Sequence, residues 1–187
     1  MQINENEREV WVYSYRLPPD HGLKPKEISG VGRKLLSFAL KNRFGITGFP
    51  LEIGLGEYGK PYLAAHPGIE FNISHSGLYV VVAVSDVPVG IDVEEVQDRD
   101  LHSIAKYAFS PDELKQFEES ANKAETFFRT WVSKEAFVKW TGEGITSDLK
   151  KLPMNGWHQF IDLGEGYCCA VQAEKPMAVK VEEVRNL

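Results

Sequence analysis

Tyr79 to Ser85 reads Y-V-V-V-A-V-S, a near-continuous apolar run. A strand with one wet face alternates apolar and polar residues. A run without that alternation reads as a buried strand, and the rest of the chain has to enclose it. Asp86-Val87-Pro88 then turns the chain into a second strand, Val89 to Val96. Val10 to Leu17 (V-W-V-Y-S-Y-R-L) is a third, rich in aromatic and β-branched residues and stopped by Pro18-Pro19. Between Ser29 and Arg43, Val31, Leu35, Leu36, Phe38, Ala39 and Leu40 recur at helical spacing, with Gly45 just beyond. Residues 50–70, rich in Gly and Pro, read as loop with short extended pieces. Residues 101–120 read as two short helices broken at Ser110-Pro111, where Ser110 as N-cap, Pro111 and Glu113 match a capping box. Thr126 to Thr141 reads as a helix. In the remainder Tyr167 to Ala173 is the best strand.

The order strand, helix, Gly-Ile-Thr and Tyr-led strand occurs twice. It runs through Val10–Leu17, 29–43, Gly45-Ile46-Thr47 and Tyr79, then through Val89–Val96, 126–141, Gly144-Ile145-Thr146 and Tyr167. Two similar lobes, at about 1–86 and 87–187, are the expectation. A chain of 187 residues with 43% hydrophobic content suffices for two small lobes. A net charge of −6 does not suit a basic face for nucleic acid, though a local basic pocket for a small anion is compatible with it. The polar, acidic Met1 to Val10 is no signal peptide. No apolar run approaches the ~18 residues that span a bilayer. The two cysteines, Cys168 and Cys169, are adjacent and read as small apolar residues of a strand, in keeping with a reduced, cytoplasmic setting.

Chemistry concentrates in four places. In Gly90-Ile91-Asp92-Val93-Glu94 the strand period projects Asp92 and Glu94 together and turns Ile91 and Val93 the other way. The pair reads first as a solvated strand face, and it also fits two hard oxygen ligands for Mg²⁺; spacing leaves both open. In Trp131-Val-Ser-Lys-Glu135-Ala-Phe-Val-Lys139, helical geometry aligns Phe127, Phe128, Trp131 and Val138 in one apolar stripe. Glu135 falls inside that stripe, with Lys139 one turn on at its edge. An exposed Glu–Lys pair is one reading. A metal or an anionic substrate with its counter-cation is the other, because a carboxylate among core aromatics needs a partner. In Phe71-Asn-Ile-Ser74-His75-Ser76 the neighbouring serines and histidine do not make a catalytic triad, and no G-x-S-x-G is present. His75 reads as structural or surface, or as a donor to a phosphate. Gly59-Lys60-Pro61 presents one ammonium on a rigid turn, and Arg33 lies off the apolar line of its helix, as a solvated arginine would.

Taken in order these pieces resemble the 4′-phosphopantetheinyl transferase superfamily, in its larger, two-lobed type that activates peptide and polyketide synthetases such as surfactin synthetase. The matching elements are Glu57-Tyr-Gly-Lys-Pro61, Phe71-Asn-Ile-Ser-His-Ser76, Val89-Gly-Ile-Asp-Val-Glu94, Phe109-Ser-Pro-Asp-Glu113 and Trp131 to Lys139. The helix around Arg33 resembles the family's first-lobe helix. The resemblance implies that Asp92, Glu94 and Glu135 hold Mg²⁺, or Mn²⁺, on the pyrophosphate of coenzyme A, and that Lys139 neutralises charge on the transferred phosphoryl or leaving group. It implies that Lys60, Ser74 and His75 contact the nucleotide and its phosphates, that Pro61 lies against the adenine, and that Arg33 reaches the adenine or the 3′-phosphate. Glu135 could instead be the base that takes the carrier serine's proton through water, with the ligand role preferred.

The expected fold is α+β: a pseudo-dimer of two similar lobes, each a small sheet on a long helix, with the ligand cleft between them. The expected protein is a cytoplasmic monomer that transfers 4′-phosphopantetheine from coenzyme A to a serine of an apo acyl, peptidyl or aryl carrier protein, releasing adenosine 3′,5′-bisphosphate. Membrane and nucleic acid are not expected partners. A Mg²⁺-dependent hydrolase or nucleotidyl transferase on another phosphoanhydride is the alternative. A binding module without chemistry is disfavoured, because all three carboxylates and Lys139 are present.

Overall fold

The structure, a computed structural model, describes residues 8–144 and 148–187. The described residues form a mixed α+β arrangement. The strands are β1 (Glu9–Arg16), β2 (Ile53–Leu55), β3 (Pro61–Leu63), β4 (Glu70–Ser76), β5 (Tyr79–Ser85), β6 (Gly90–Glu95), β7 (Trp157–Phe160), β8 (Tyr167–Ala173) and β9 (Ala178–Val184). The helices are α1 (Pro25–Phe44), α2 (Leu101–Ala108), α3 (Pro111–Glu119) and α4 (Lys123–Thr141).

One sheet has the order β4-β5-β1-β9, a second β6-β8-β7, and β2 pairs with β3 in a small hairpin. Every residue of β5 is buried, and its two faces enter different cores. Val80, Val82 and Val84 pack with Leu35, Leu36, Ala39 and Leu40 of α1. Tyr79, Val81 and Ala83 pack with Ile91 and Val93 of β6 and with Cys169 and Val171 of β8. That double burial is why the strand is apolar throughout. A third, aromatic core joins Phe109, Phe117, Phe127 and Phe128 beneath α2, α3 and α4.

Helix α1 begins earlier than its apolar periodicity suggests. Pro25 stands in its first turn, and the Lys24 N–H donates to Glu27 Oε2 at 2.8 Å. Gly45 closes it in the left-handed conformation. The break at Ser110 is a capping box: Ser110 Oγ accepts from the Glu113 N–H, and Glu113 Oε2 accepts from the Ser110 N–H. Gly142, with φ 72°, ends α4; of the second Gly-Ile-Thr, Ile145 and Thr146 lie outside the described residues. The last strand leaves the second half of the chain and pairs in parallel with β1, Val10 opposite Val179.

The Asn72-Ser76 segment belongs to strand β4. Its polar residues are what hide it. Asn72, Ser74 and Ser76 share the face that carries Val81 and Ala83 across the ladder, and Asn72 and Ser74 are buried. They meet the free edge of β6. Asn72 Oδ1 accepts from the Ile91 N–H at 3.0 Å, Ser74 Oγ from the Val93 N–H at 3.3 Å and Ser76 Oγ from the Glu95 N–H at 3.0 Å. Three side chains thus act as the carbonyls of a missing neighbour strand and hold the two sheets in register.

Candidate active site

Strand β6 and helix α4 build the acidic half of the site. Ile91 and Val93 enter the core below, so Gly90, Asp92 and Glu94 face α4. The helix crosses so closely that a Cβ on Gly90 would collide with the Ala136 carbonyl and the Trp140 backbone. This approach brings the turn of Glu135 and Lys139 over Asp92, and Trp131 over Glu94.

Asp92 is 5% exposed. Its Oδ1 accepts from Ser74 Oγ at 2.8 Å and from Lys139 Nζ at 2.6 Å, and Lys139 also donates to Ser74 Oγ at 2.9 Å. Its Oδ2 is buried without a partner among the described residues, a costly state for a carboxylate oxygen. Glu94 is satisfied on both oxygens: Oε2 accepts from Ser76 Oγ at 3.0 Å and Oε1 from Trp131 Nε1 at 3.1 Å. Glu135 is half-buried, and its carboxyl is held above the ordinary range, first by desolvation and then by the charges of Asp92 and Glu94, with Lys139 opposing. No three acidic, histidine or cysteine side chains among the described residues stand close enough to hold a metal as they are; the Lys139 ammonium takes up an Asp92 oxygen. The donors still suit a hard cation: an oxygen without a partner, a second carboxylate fixed by two donors, and a third destabilised by both.

Beside the carboxylates lies a cleft of about 290 Å³ lined by Tyr58, Lys60, Pro61, Ile73, Glu135 and Lys139, among others. Lys60 and Pro61 come to it from β3 and the turn before it. Lys60 Nζ donates to the Trp140 carbonyl at 2.8 Å and the Val89 carbonyl at 3.3 Å, an ammonium set at the negative end of α4. Burial lowers its pKa. Ser74 and His75, being neighbours on a strand, point to opposite faces. Ser74 reaches the Asp92–Lys139 pair, while His75 is exposed, its imidazole pushed down by desolvation and then by the Lys139 charge. Arg33 is exposed on α1, one residue beyond Gly32, whose open Cα face meets Ile73 of the cleft wall.

Sequence reasoning assigned no role to Lys134, Ser76, Asn72 or the Trp131 indole. Lys134 is 1% exposed; its Nζ lies 2.8 Å from Glu113 Oε2 and donates to the Leu149 carbonyl at 2.7 Å. The helix period offered the signal for Lys134, because at about 100° per residue it falls beside Phe127 and Val138 at the edge of the apolar stripe. Cys168 and Cys169 are free, and burial raises both thiols, Cys168 to about 11. No helix among the described residues is long and apolar enough to cross a membrane.

The sequence profile of the 4′-phosphopantetheinyl transferase superfamily matches residues 88–175. A 4′-phosphopantetheinyl transferase of Bacillus subtilis is 34% identical over 142 residues, which cover 73% of this chain and 63% of the relative. The 4′-phosphopantetheinyl transferase psf-1 of Bacillus pumilus is 48% identical over 93 residues, 49% of this chain and 40% of the relative. The L-aminoadipate-semialdehyde dehydrogenase-phosphopantetheinyl transferase of Mus musculus is 26% identical over 170 residues, 81% of this chain and 55% of the relative. The matched regions thus span less than two thirds of each relative's own length. The profile match takes in the strand of Asp92 and Glu94 and the helix of Glu135 and Lys139, and by these matches the chain is similar to the 4′-phosphopantetheinyl transferase superfamily.

Proposed function

We propose that this chain transfers the 4′-phosphopantetheine of coenzyme A to a serine of an apo acyl, peptidyl or aryl carrier protein, with Mg²⁺ or Mn²⁺, and releases adenosine 3′,5′-bisphosphate. The observation that carries the proposal is the buried Asp92 Oδ2, without a partner among the described residues and set among Glu94, Glu135 and Lys139 at the edge of a cleft. The names of the Bacillus relatives support the same reaction.

In this reading Asp92, Glu94 and Glu135 hold the cation, which when bound spreads the negative charge of the pyrophosphate and lets an acidic site accept a polyanion. Phosphoryl transfer then depends on positioning and charge. The carrier serine Oγ forms a bond to the phosphorus that bears pantetheine. The bond from that phosphorus to the oxygen of adenosine 3′,5′-bisphosphate breaks, and the serine proton passes to water. Lys139 turns its ammonium from Asp92 toward the transferred phosphoryl group. Lys60 and Pro61 form the wall for the nucleotide, with Ser74, His75 and Arg33 as further contacts to its phosphates or base. The raised carboxyl of Glu135 favours a second reading, in which Glu135 takes the serine proton through a water molecule.

The same proposal treats 1–86 and 87–187 as two similar lobes with coenzyme A between them, in a monomer that works in the cytoplasm without membrane or nucleic acid as partner. Its test is incubation with coenzyme A, Mg²⁺ and a panel of apo carriers, each then weighed by mass spectrometry. A carrier should gain the phosphopantetheine mass only with divalent cation, alongside free adenosine 3′,5′-bisphosphate. Coenzyme A cleaved with no carrier modified would favour the hydrolase alternative. Transfer that survives full chelation would remove the metal role of Asp92 and Glu94.

A further inference from the structure

The rungs between β4 and β6 repeat with one offset, and the chemistry of each rung follows what β6 carries. Ser74 accepts from the N–H of Val93 and donates to the carboxylate of Asp92. Ser76, two residues on, accepts from the N–H of Glu95 and donates to the carboxylate of Glu94. Asn72 accepts from the N–H of Ile91, and the residue before Ile91 is Gly90, which has no side chain to receive a donor. A hydroxyl stands where β6 presents both an N–H and a carboxylate. An amide oxygen stands where it presents the N–H beside glycine. One hydroxyl can accept and donate at once, so serine meets both demands.

We propose that Ser76 is a positioning residue for Glu94, with the Trp131 indole as its counterpart on the other oxygen. This rests on the metal role proposed for Glu94. Glu94 sits on the last turn-ward part of β6, beyond the cover that buries Asp92. A glutamate has one more rotatable bond than an aspartate and loses more freedom when fixed. Ser76 Oγ at 3.0 Å and Trp131 Nε1 at 3.1 Å take one oxygen each and limit the carboxylate to one orientation. The two donors come from different layers, β4 and α4, so the orientation is set only when the sheets and the helix are docked. Each oxygen keeps a free lone pair, because one hydrogen bond occupies one of the two. Groups that orient a metal's ligands in this way are worth about 10–100-fold in affinity or activity.

The test is a titration of the whole protein, with coenzyme A present and no carrier, by Mn²⁺ followed through loss of the free-ion electron paramagnetic resonance signal. Ser76→Ala should bind Mn²⁺ about tenfold more weakly than wild type. Ser76→Thr, which keeps the hydroxyl, should return to within about twofold. Trp131→Phe removes the other donor without touching the β4–β6 rungs and should also weaken binding, so the proposal stays open to refutation if Ser76→Ala fails to fold. Equal Mn²⁺ affinity in wild type, Ser76→Ala and Trp131→Phe would overturn the positioning role and leave the metal reading standing. A wild-type protein that binds no Mn²⁺ would overturn the metal reading and this proposal with it.

Discussion

Lys139 Nζ lies 2.6 Å from Asp92 Oδ1, while Oδ2 of the same carboxylate is buried with no partner among the described residues. One ammonium thus balances the charge of Asp92 but leaves half of its accepting capacity unused. Removing that ammonium leaves a buried carboxylate without its ion pair. Lys139→Ala should lower stability in the absence of divalent cation by about 2–4 kcal/mol. At roughly 2–4 °C per kcal/mol for a chain of this size, the melting temperature should fall by about 5–15 °C. Because the vacated oxygens suit a cation, added Mg²⁺ should raise the melting temperature of Lys139→Ala more than that of wild type. A variant as stable as wild type and indifferent to Mg²⁺ would show that the pair carries no charge balance.

Glu135 is predicted to oppose folding when ionised. Its carboxyl is raised by desolvation, then by Asp92 and Glu94. A group that binds its proton more tightly in the folded state contributes stability at low pH, and that contribution is lost as pH rises from about the ordinary 4.5 through the raised value. Glu135→Gln keeps the shape and removes the titration. The variant should melt at a higher temperature than wild type above that window, and the gap should close as pH falls through it. Phosphopantetheine transfer should fall at least about 100-fold, as expected for a carboxylate that holds a metal or moves a proton. Melting curves across pH, read beside transfer rates, check both halves. Normal turnover together with an unchanged pH profile would make Glu135 an ordinary neighbour of Lys139.

How much of this was legible in the sequence differs between the two halves of the site. Strand period alone puts Asp92 and Glu94 on one face, and helix period alone puts Glu135 among aromatics; both follow from local geometry. The buried strand of Tyr79 to Ser85 was equally legible, because both its faces meet apolar cores. Strand β4 was not. Period-2 reading looks for apolar residues on the buried face, and β4 buries Asn72 and Ser74 because they bond to the backbone of β6. That partner lies 19 residues away, so the reason for their polarity is tertiary. The parallel pairing of β9 with β1 is hidden for the same cause. Lys60 looked like a free ammonium on a turn, yet its place is set by two carbonyls, one of them in α4.

Gly90 illustrates a constraint that sequence shows only as a letter. Its backbone is not in the left-handed region; space is what requires glycine. The atoms a Cβ would meet belong to the backbone of Ala136 and Trp140, which no rotamer change can move. Gly90→Ala should push α4 off β6, costing at least about 3 kcal/mol, the upper end for overpacking. It should also separate Glu135 and Lys139 from Asp92, so metal response should be lost in whatever fraction folds. Soluble yield and a Mg²⁺-dependent melting shift measure the two effects. A stable variant with a normal shift would mean the helix does not rest on this glycine.

Lys134 and Glu113 provide the last prediction, and it concerns the scaffold. The motif places Lys134 beside Glu135 in sequence, but the helix turns the two in different directions. Lys134 Nζ meets Glu113 Oε2 at 2.8 Å and the Leu149 carbonyl at 2.7 Å, and the same Glu113 oxygen accepts from the Ser110 N–H at 2.7 Å. A single buried ammonium therefore joins the cap of α3, the middle of α4 and the segment that returns after it. Lys134→Met fills the volume but leaves the Glu113 charge and the Leu149 carbonyl without their donor, at about 3–5 kcal/mol. Glu113→Gln leaves the ammonium with one neutral acceptor and weakens the cap, at about 2–4 kcal/mol. The double variant removes both charges together, so it should lose less than the sum of the singles, by about 1–3 kcal/mol. Urea unfolding of the four proteins gives this coupling directly. Losses that simply add would show that the two charges do not depend on one another, and that the short distance between them contributes nothing to the fold.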